Sequence, residues 1–139
     1  MTIYKTKVTD VKLSDLEVFS KGSAHLAAVE EFKDISWSIG RIFFISSEAE
    51  EERGNHAHKL CKQLFVCVSG KLLVNCHDGE NTKNFILSGL NSSLCVPPGI
   101  WVTIKMSVNT SIAVITDRKY DDSDYIRDWD QFLNFKDAK

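Results

Sequence analysis

Short apolar runs, rich in β-branched and aromatic residues and closed by glycine, asparagine or proline, recur along most of this chain. Arg41 to Ile45, Gln63 to Val68, Lys71 to Cys76, Asn84 to Leu87, Ser93 to Val96, Trp101 to Ile104 and Ser111 to Thr116 have the length and composition of strands. Their even spacing predicts an all-β fold, an antiparallel sandwich or barrel. Ser69-Gly70 reads as the turn of a hairpin, and Asp78-Gly79 as another turn. The only prolines, Pro97 and Pro98, mark a connection. One helix is expected, at the C-terminal end, capped by Asp122 or Ser123. Tyr125, Ile126, Trp129, Phe132 and Leu133 recur there at helical spacing, with Asp124, Arg127, Asp128 and Asp130 on the wet side. Such a helix is expected to pack on the outside of the barrel.

At 139 residues the chain fits one domain spanning 1–139, large enough for a self-supporting core. A formal net charge of -2 supplies no field that would attract polyanions, which argues against nucleic-acid binding. No apolar stretch is long enough to span a bilayer, and Met1 to Lys5 carry no apolar signal core. The four cysteines, Cys61, Cys67, Cys76 and Cys95, form no C-x-x-C pair and read as small core hydrophobes. A cytoplasmic protein is expected. Ile42 to Ile45 and Leu64 to Val68 are apolar on both faces, which predicts that a second subunit covers one of them.

The chemistry concentrates in Arg53-Gly54-Asn55-His56-Ala57-His58, followed by Gln63 and Gly70. Histidines at i and i+2 of an extended segment share a face, which sets two imidazoles side by side. With Pro97-Pro98-Gly99-Ile100-Trp101-Val102, this segment resembles the two motifs of the cupin superfamily of small β-barrels. Metal-binding cupins follow the histidine pair with a carboxylate and place a third histidine after the Pro-x-Gly turn. Gln63 and Val102 stand at those places here. Two imidazoles and a neutral amide make a poor cage for an ion, so no metal is expected.

Arg53-Gly54-x-His56-Ala57-His58-Lys59 with Gln63, and the run Tyr120-Asp121-Asp122-Ser123-Asp124-Tyr125-Ile126-Arg127, resemble the sugar 3,4-ketoisomerase family of metal-free cupins. The resemblance covers the chain from about Glu30 to Phe132. It implies a jelly-roll fold with a strand-exchanged homodimer, and a dTDP-4-keto-6-deoxyhexose whose carbonyl moves from carbon 4 to carbon 3. The products of such enzymes feed amino-sugar pathways for bacterial surface polysaccharides. By resemblance His56 is the proton-transfer base and His58 its assistant, with no cofactor. Arg41 and Arg53 would hold the diphosphate or the oxyanion, and Gln63, Trp101 and Phe43 would line the substrate site. Three departures stand out. Phe43-Phe44 replaces a Tyr-Tyr pair, Val102 replaces histidine or arginine, and Lys21-Gly22 carries an insertion that brings in His25. The alternatives are a keto-sugar epimerase, which would show a His–Asp dyad with a catalytic tyrosine on the opposite side of the sugar, a constellation not found here, an inactive sugar-nucleotide-binding cupin, and a metal-dependent oxygenase-type cupin.

Overall fold

The computed structural model describes residues 5–137. Twelve strands and one helix follow in order: β1 (Lys12–Asp15), β2 (Val18–Lys21), β3 (Ala24–Ala27), β4 (Arg41–Ser47), β5 (Glu51–His58), β6 (Gln63–Ser69), β7 (Lys71–His77), β8 (Thr82–Ser88), β9 (Ser92–Val96), β10 (Trp101–Met106), β11 (Thr110–Thr116), β12 (Tyr125–Ile126) and α1 (Trp129–Asp137). Two five-stranded sheets, β1-β9-β6-β11-β4 and β12-β5-β10-β7-β8, form a jelly-roll sandwich, and β2-β3 is a separate hairpin. All strand pairings are antiparallel. The core between the two sheets holds Phe65, Cys67, Leu72, Val74, Leu87, Leu94, Ile104, Ile112 and Val114.

Gly70 does not turn a hairpin. β6 pairs with β9 and β11, whereas β7 pairs with β8 and β10, so the chain crosses from one sheet to the other at Gly70. Its φ of 82° and the close approach of Thr110 explain the glycine, since an added Cβ would lie 2.6 Å from the Thr110 Cα. Asp78-Gly79 does turn a hairpin, between β7 and β8.

The helix begins at Trp129, later than the periodicity predicts. Residues Asp122–Asp124 form a single 3-10 turn that Asp121 caps by accepting from the Ser123 N–H. Tyr125 and Ile126 then pair with His58 and Ala57 as strand β12. The residue capping the helix is Asp128, whose carboxylate accepts from the Gln131 N–H at 3.0 Å. Phe132 packs on Ala57 and Ile126, with Trp101 against it, on the outer face of the second sheet.

Leu64 and Val66 turn outward from the first sheet, yet the chain itself covers them. Leu16, Ile35 and Trp37 close over them in a second apolar cluster. Of the two runs apolar on both faces, this one has its outer face covered from within the chain at Leu64 and Val66. Ile42 and Phe44, outward-facing on edge strand β4, do stay exposed, Phe44 at 74%. No helix among the described residues is long and apolar enough to cross a membrane.

Candidate active site

β5 carries the motif residues, and a bulge decides where they point. Val102 pairs with His56 but Thr103 pairs with Gly54, so Asn55 is the extra residue of β5. Gly54 (φ 97°) and Asn55 (φ 61°) both take left-handed backbone, and the Thr103 hydroxyl donates to the Asn55 side chain at 3.0 Å. In a regular strand Arg53 and His56 would face opposite sides. The extra residue resets the alternation, and both enter one cavity of about 470 Å³ between the sheets. Alanine at Gly54 would place a Cβ 2.7 Å from the Val102 carbonyl oxygen. Gly54→Ala is therefore expected to cost about 2–3 kcal/mol in urea unfolding and to lower activity by moving His56.

Arg41, Phe43 and Ile45 of β4, Arg53 and His56 of β5, Gln63 and Phe65 of β6, Val102 and Ile104 of β10, and Tyr125 and Arg127 all line this cavity. Arg41, Arg53, His56, Gln63 and Phe43 are thus brought together. Trp101 is not. Strand alternation turns it to the outer face, where its ring lies 5.3 Å from that of Trp129 and 5.5 Å from that of Phe132. Its neighbour Val102 takes the inward place, so Trp101 acts as packing and not as a wall of the site.

The Gly54 backbone carbonyl near the His56 ring favours its protonated form, but other influences outweigh it. Burial, the neighbouring His58 and the nearby guanidiniums of Arg127 and Arg53 lower the His56 pKa from 6.5 to about 4. His56 is neutral at physiological pH and ready to accept a proton. Below pH 6.5 the unfolded chain takes up a proton that the folded site refuses. Stability should therefore fall as pH drops from 6.5 towards about 4, and level off beneath that. A base in this environment should also place the acidic limb of kcat/KM near pH 4 and not near 6.5.

His58 sits one layer back, and it is buried. Its Nδ1 bonds Asp124 Oδ2 at 2.9 Å. Asp124, itself buried, also accepts from the backbone N–H of Leu60 at 2.7 Å and of Cys61 at 3.3 Å. Burial lowers the His58 pKa, while the hydrogen bond and charge of Asp124 oppose the fall. Its Nε2 is buried and has no hydrogen-bond partner among the described residues. The Tyr125 ring stands 4.9 Å from His56 and 4.4 Å from His58, with the Arg127 guanidinium 4.3 Å from its centroid.

The structure does hold a His–Asp dyad, His58 with Asp124, but Tyr125 stands beside the histidines, so the dyad with a tyrosine on the opposite side of the sugar is not assembled among the described residues. Helical periodicity hides the dyad by assigning Asp124 and Arg127 to a wet helix face. The signal that could have found it is the Tyr120–Arg127 run itself, an acidic turn followed by an apolar pair. His77 accepts from the Gly79 N–H at 2.9 Å as a turn residue, and His25 bonds Ser20 on the β2-β3 hairpin. The cysteines are free thiols, and burial pushes those of Cys61 and Cys76 up to about 12. Cys61 Sγ, His58 and Asp124 bring their ligand-type atoms within 4.8 Å of one another. In that group the His58 and Asp124 atoms are already bonded to each other.

Residues 9–137 match the protein family described as FdtA: WxcM-like, C-terminal. A TDP-4-oxo-6-deoxy-alpha-D-glucose-3,4-oxoisomerase of Aneurinibacillus thermoaerophilus is 36% identical over 118 residues, 84% of each chain. The crystal structure of a 3,4-ketoisomerase from Helicobacter canadensis superposes with a TM-score of 0.87 at 29% identity, covering 93% of this chain and 98% of that one. A TDP-quinovose 3,4-ketoisomerase from Campylobacter jejuni gives 0.85 at 27%, covering 91% and 99%. The family match, the curated relative and the shared fold agree: this chain belongs to the FdtA family, that of the sugar 3,4-ketoisomerases.

Proposed function

We propose that this protein is an isomerase that converts a dTDP-4-keto-6-deoxyhexose into its 3-keto isomer through an enediol, by histidine acid–base catalysis. The observation that carries this reading is His56. It is a neutral imidazole, and it opens on a cavity edged by Arg41, Arg53 and Arg127. His56 takes the proton from carbon 3 and delivers it to carbon 4. The guanidiniums hold the diphosphate and stabilise the enediolate charge. The same positive charges disfavour a bound cation, and proton transfer by a histidine calls for no cofactor. His58, fixed by Asp124, orients the site from behind. The curated relative that matches this chain acts, by its name, on TDP-4-oxo-6-deoxyglucose, and the same sugar nucleotide is the substrate assigned here. A 3-keto product suits amination at carbon 3, and so deoxy-amino-sugar synthesis for surface polysaccharides such as lipopolysaccharide O-antigen. Free thiols fit the cytoplasm.

The test is incubation with dTDP-4-keto-6-deoxyglucose in deuterated water, followed by NMR. Deuterium at carbon 3 or carbon 4 with a 3-keto product supports isomerisation. The dyad and Tyr125 give the epimerase reading one observation in its favour, and exchange at carbon 5 would select it. Against it, Tyr125 lies beside both histidines and not across the cavity from them. Binding without exchange would make the protein an inert module.

The working unit is a strand-exchanged homodimer. Ile42 and Phe44 on edge strand β4, with Phe19 and Leu26 on the β2-β3 hairpin, leave apolar side chains exposed that a second copy would cover. Phe44→Glu is expected to shift the protein to a monomer in sedimentation. An unchanged dimer would remove this face from the interface.

A further inference from the structure

Given the reading of the cavity as a sugar-diphosphate site, on which this inference rests, its guanidiniums must hold one geometry to grip the phosphoryl groups. An arginine side chain is long and rotamer-rich. Freezing it on binding costs affinity that a side chain already held in place does not lose. Arg41 and Arg127 line the cavity, and both are held by their surroundings. The Arg41 guanidinium carbon lies 4.6 Å from the centroid of the Phe43 ring and 5.2 Å from that of Tyr120, both within cation–π range. The Arg127 guanidinium carbon lies 4.3 Å from the Tyr125 centroid, and its Nη1 donates to Asp122 Oδ1 at 2.9 Å.

One residue joins the two arrangements. The Tyr120 ring lies under Arg41, and its hydroxyl donates at 3.0 Å to the same Asp122 oxygen that accepts from Arg127. The ring also packs on Tyr125, with centroids 5.6 Å apart. Yet Tyr120 is 54% exposed and does not line the cavity. The Arg127–Asp122 pair is exposed as well, so it adds little to stability. What these contacts fix is where the guanidiniums stand.

We propose that Tyr120 is a positioning residue, setting Arg41 with its ring and Arg127 through Asp122 before a sugar diphosphate arrives. It acts through the two arginines and touches no reacting atom, so it governs binding and not the chemical step. The side chain divides the work: the ring serves Arg41, and the hydroxyl serves Arg127.

The test compares wild type, Tyr120→Phe and Tyr120→Leu. Isothermal titration gives the Kd of TDP, and kcat and KM are measured separately on TDP-4-keto-6-deoxyglucose. Immobilising one rotamer-rich side chain costs about two- to twelvefold in affinity. Tyr120→Phe frees Arg127 alone and should raise Kd and KM about threefold. Tyr120→Leu frees both arginines and should raise Kd and KM about tenfold or more, with kcat within about threefold of wild type. A merely structural role would lower the urea midpoint and the active fraction, and so kcat, without moving Kd. The proposal is overturned if Tyr120→Leu keeps Kd and KM within about twofold of wild type, below the cost of freezing one side chain. Loss of kcat with KM unchanged, or a phenylalanine variant as damaged as the leucine one, overturns it equally. A wild type that binds TDP but forms no 3-keto product refutes the isomerase reading, and the Kd values then decide this proposal alone. A wild type that does not bind TDP refutes the sugar-nucleotide reading, and this proposal with it.

Discussion

Replacing His56 by asparagine is expected to abolish deuterium exchange at carbons 3 and 4 and to lower turnover by about 10²–10⁴-fold, the contribution of one well-placed general base. Nucleotide affinity should hardly change, because asparagine is close in size and the cavity keeps Arg41, Arg53 and Arg127. Isothermal titration with TDP and NMR of the keto sugar in deuterated water separate the two effects. The asymmetry between the histidines gives the result its meaning. His56 opens on the cavity, whereas His58 spends one nitrogen on a buried carboxylate. Normal turnover by His56→Asn would move the base elsewhere.

Asp124→Ala is expected to cost about 3–5 kcal/mol of stability, the range seen when one partner of a buried polar pair is removed. Its carboxylate accepts from His58 and from the N–H groups of Leu60 and Cys61. All three donors would lose that acceptor, two of them where it is buried. Urea unfolding monitored by tryptophan fluorescence measures the cost. Asp124→Asn should fall between wild type and alanine, since the amide oxygen still accepts while its NH₂ meets a donor. If alanine destabilised by less than about 1 kcal/mol, the dyad would not be a structural clamp at all.

How legible these features are depends on the range over which the deciding contact acts. The strands from Arg41 to Thr116 declare themselves through local composition. The pairing of His56 with His58 on one face declares itself through period two. Gly70 shows the limit: a glycine between two apolar runs signals a reversal, but which sheet receives the second run depends on β9, β10 and β11. Leu64 and Val66 show it again, because their cover comes from Leu16, Ile35 and Trp37 of the same chain. Tyr125 and Ile126 satisfy a helical period, yet β5 offers them unpaired backbone groups and takes them as a strand.

Composition and spacing alone were enough for the all-β class, the two histidines on one face, the weak donor set at Gln63 and Val102, and the resemblance that follows from them. These rest on neighbours in the chain, where backbone geometry translates directly into direction. Tertiary structure decided the rest. It turned Trp101 outward, inserted Asn55 as the bulge that brings Arg53 to His56, and carried Asp124 across 66 positions to His58. A burial pattern names a face, but only folding brings distant segments together and fixes what each buried polar atom meets.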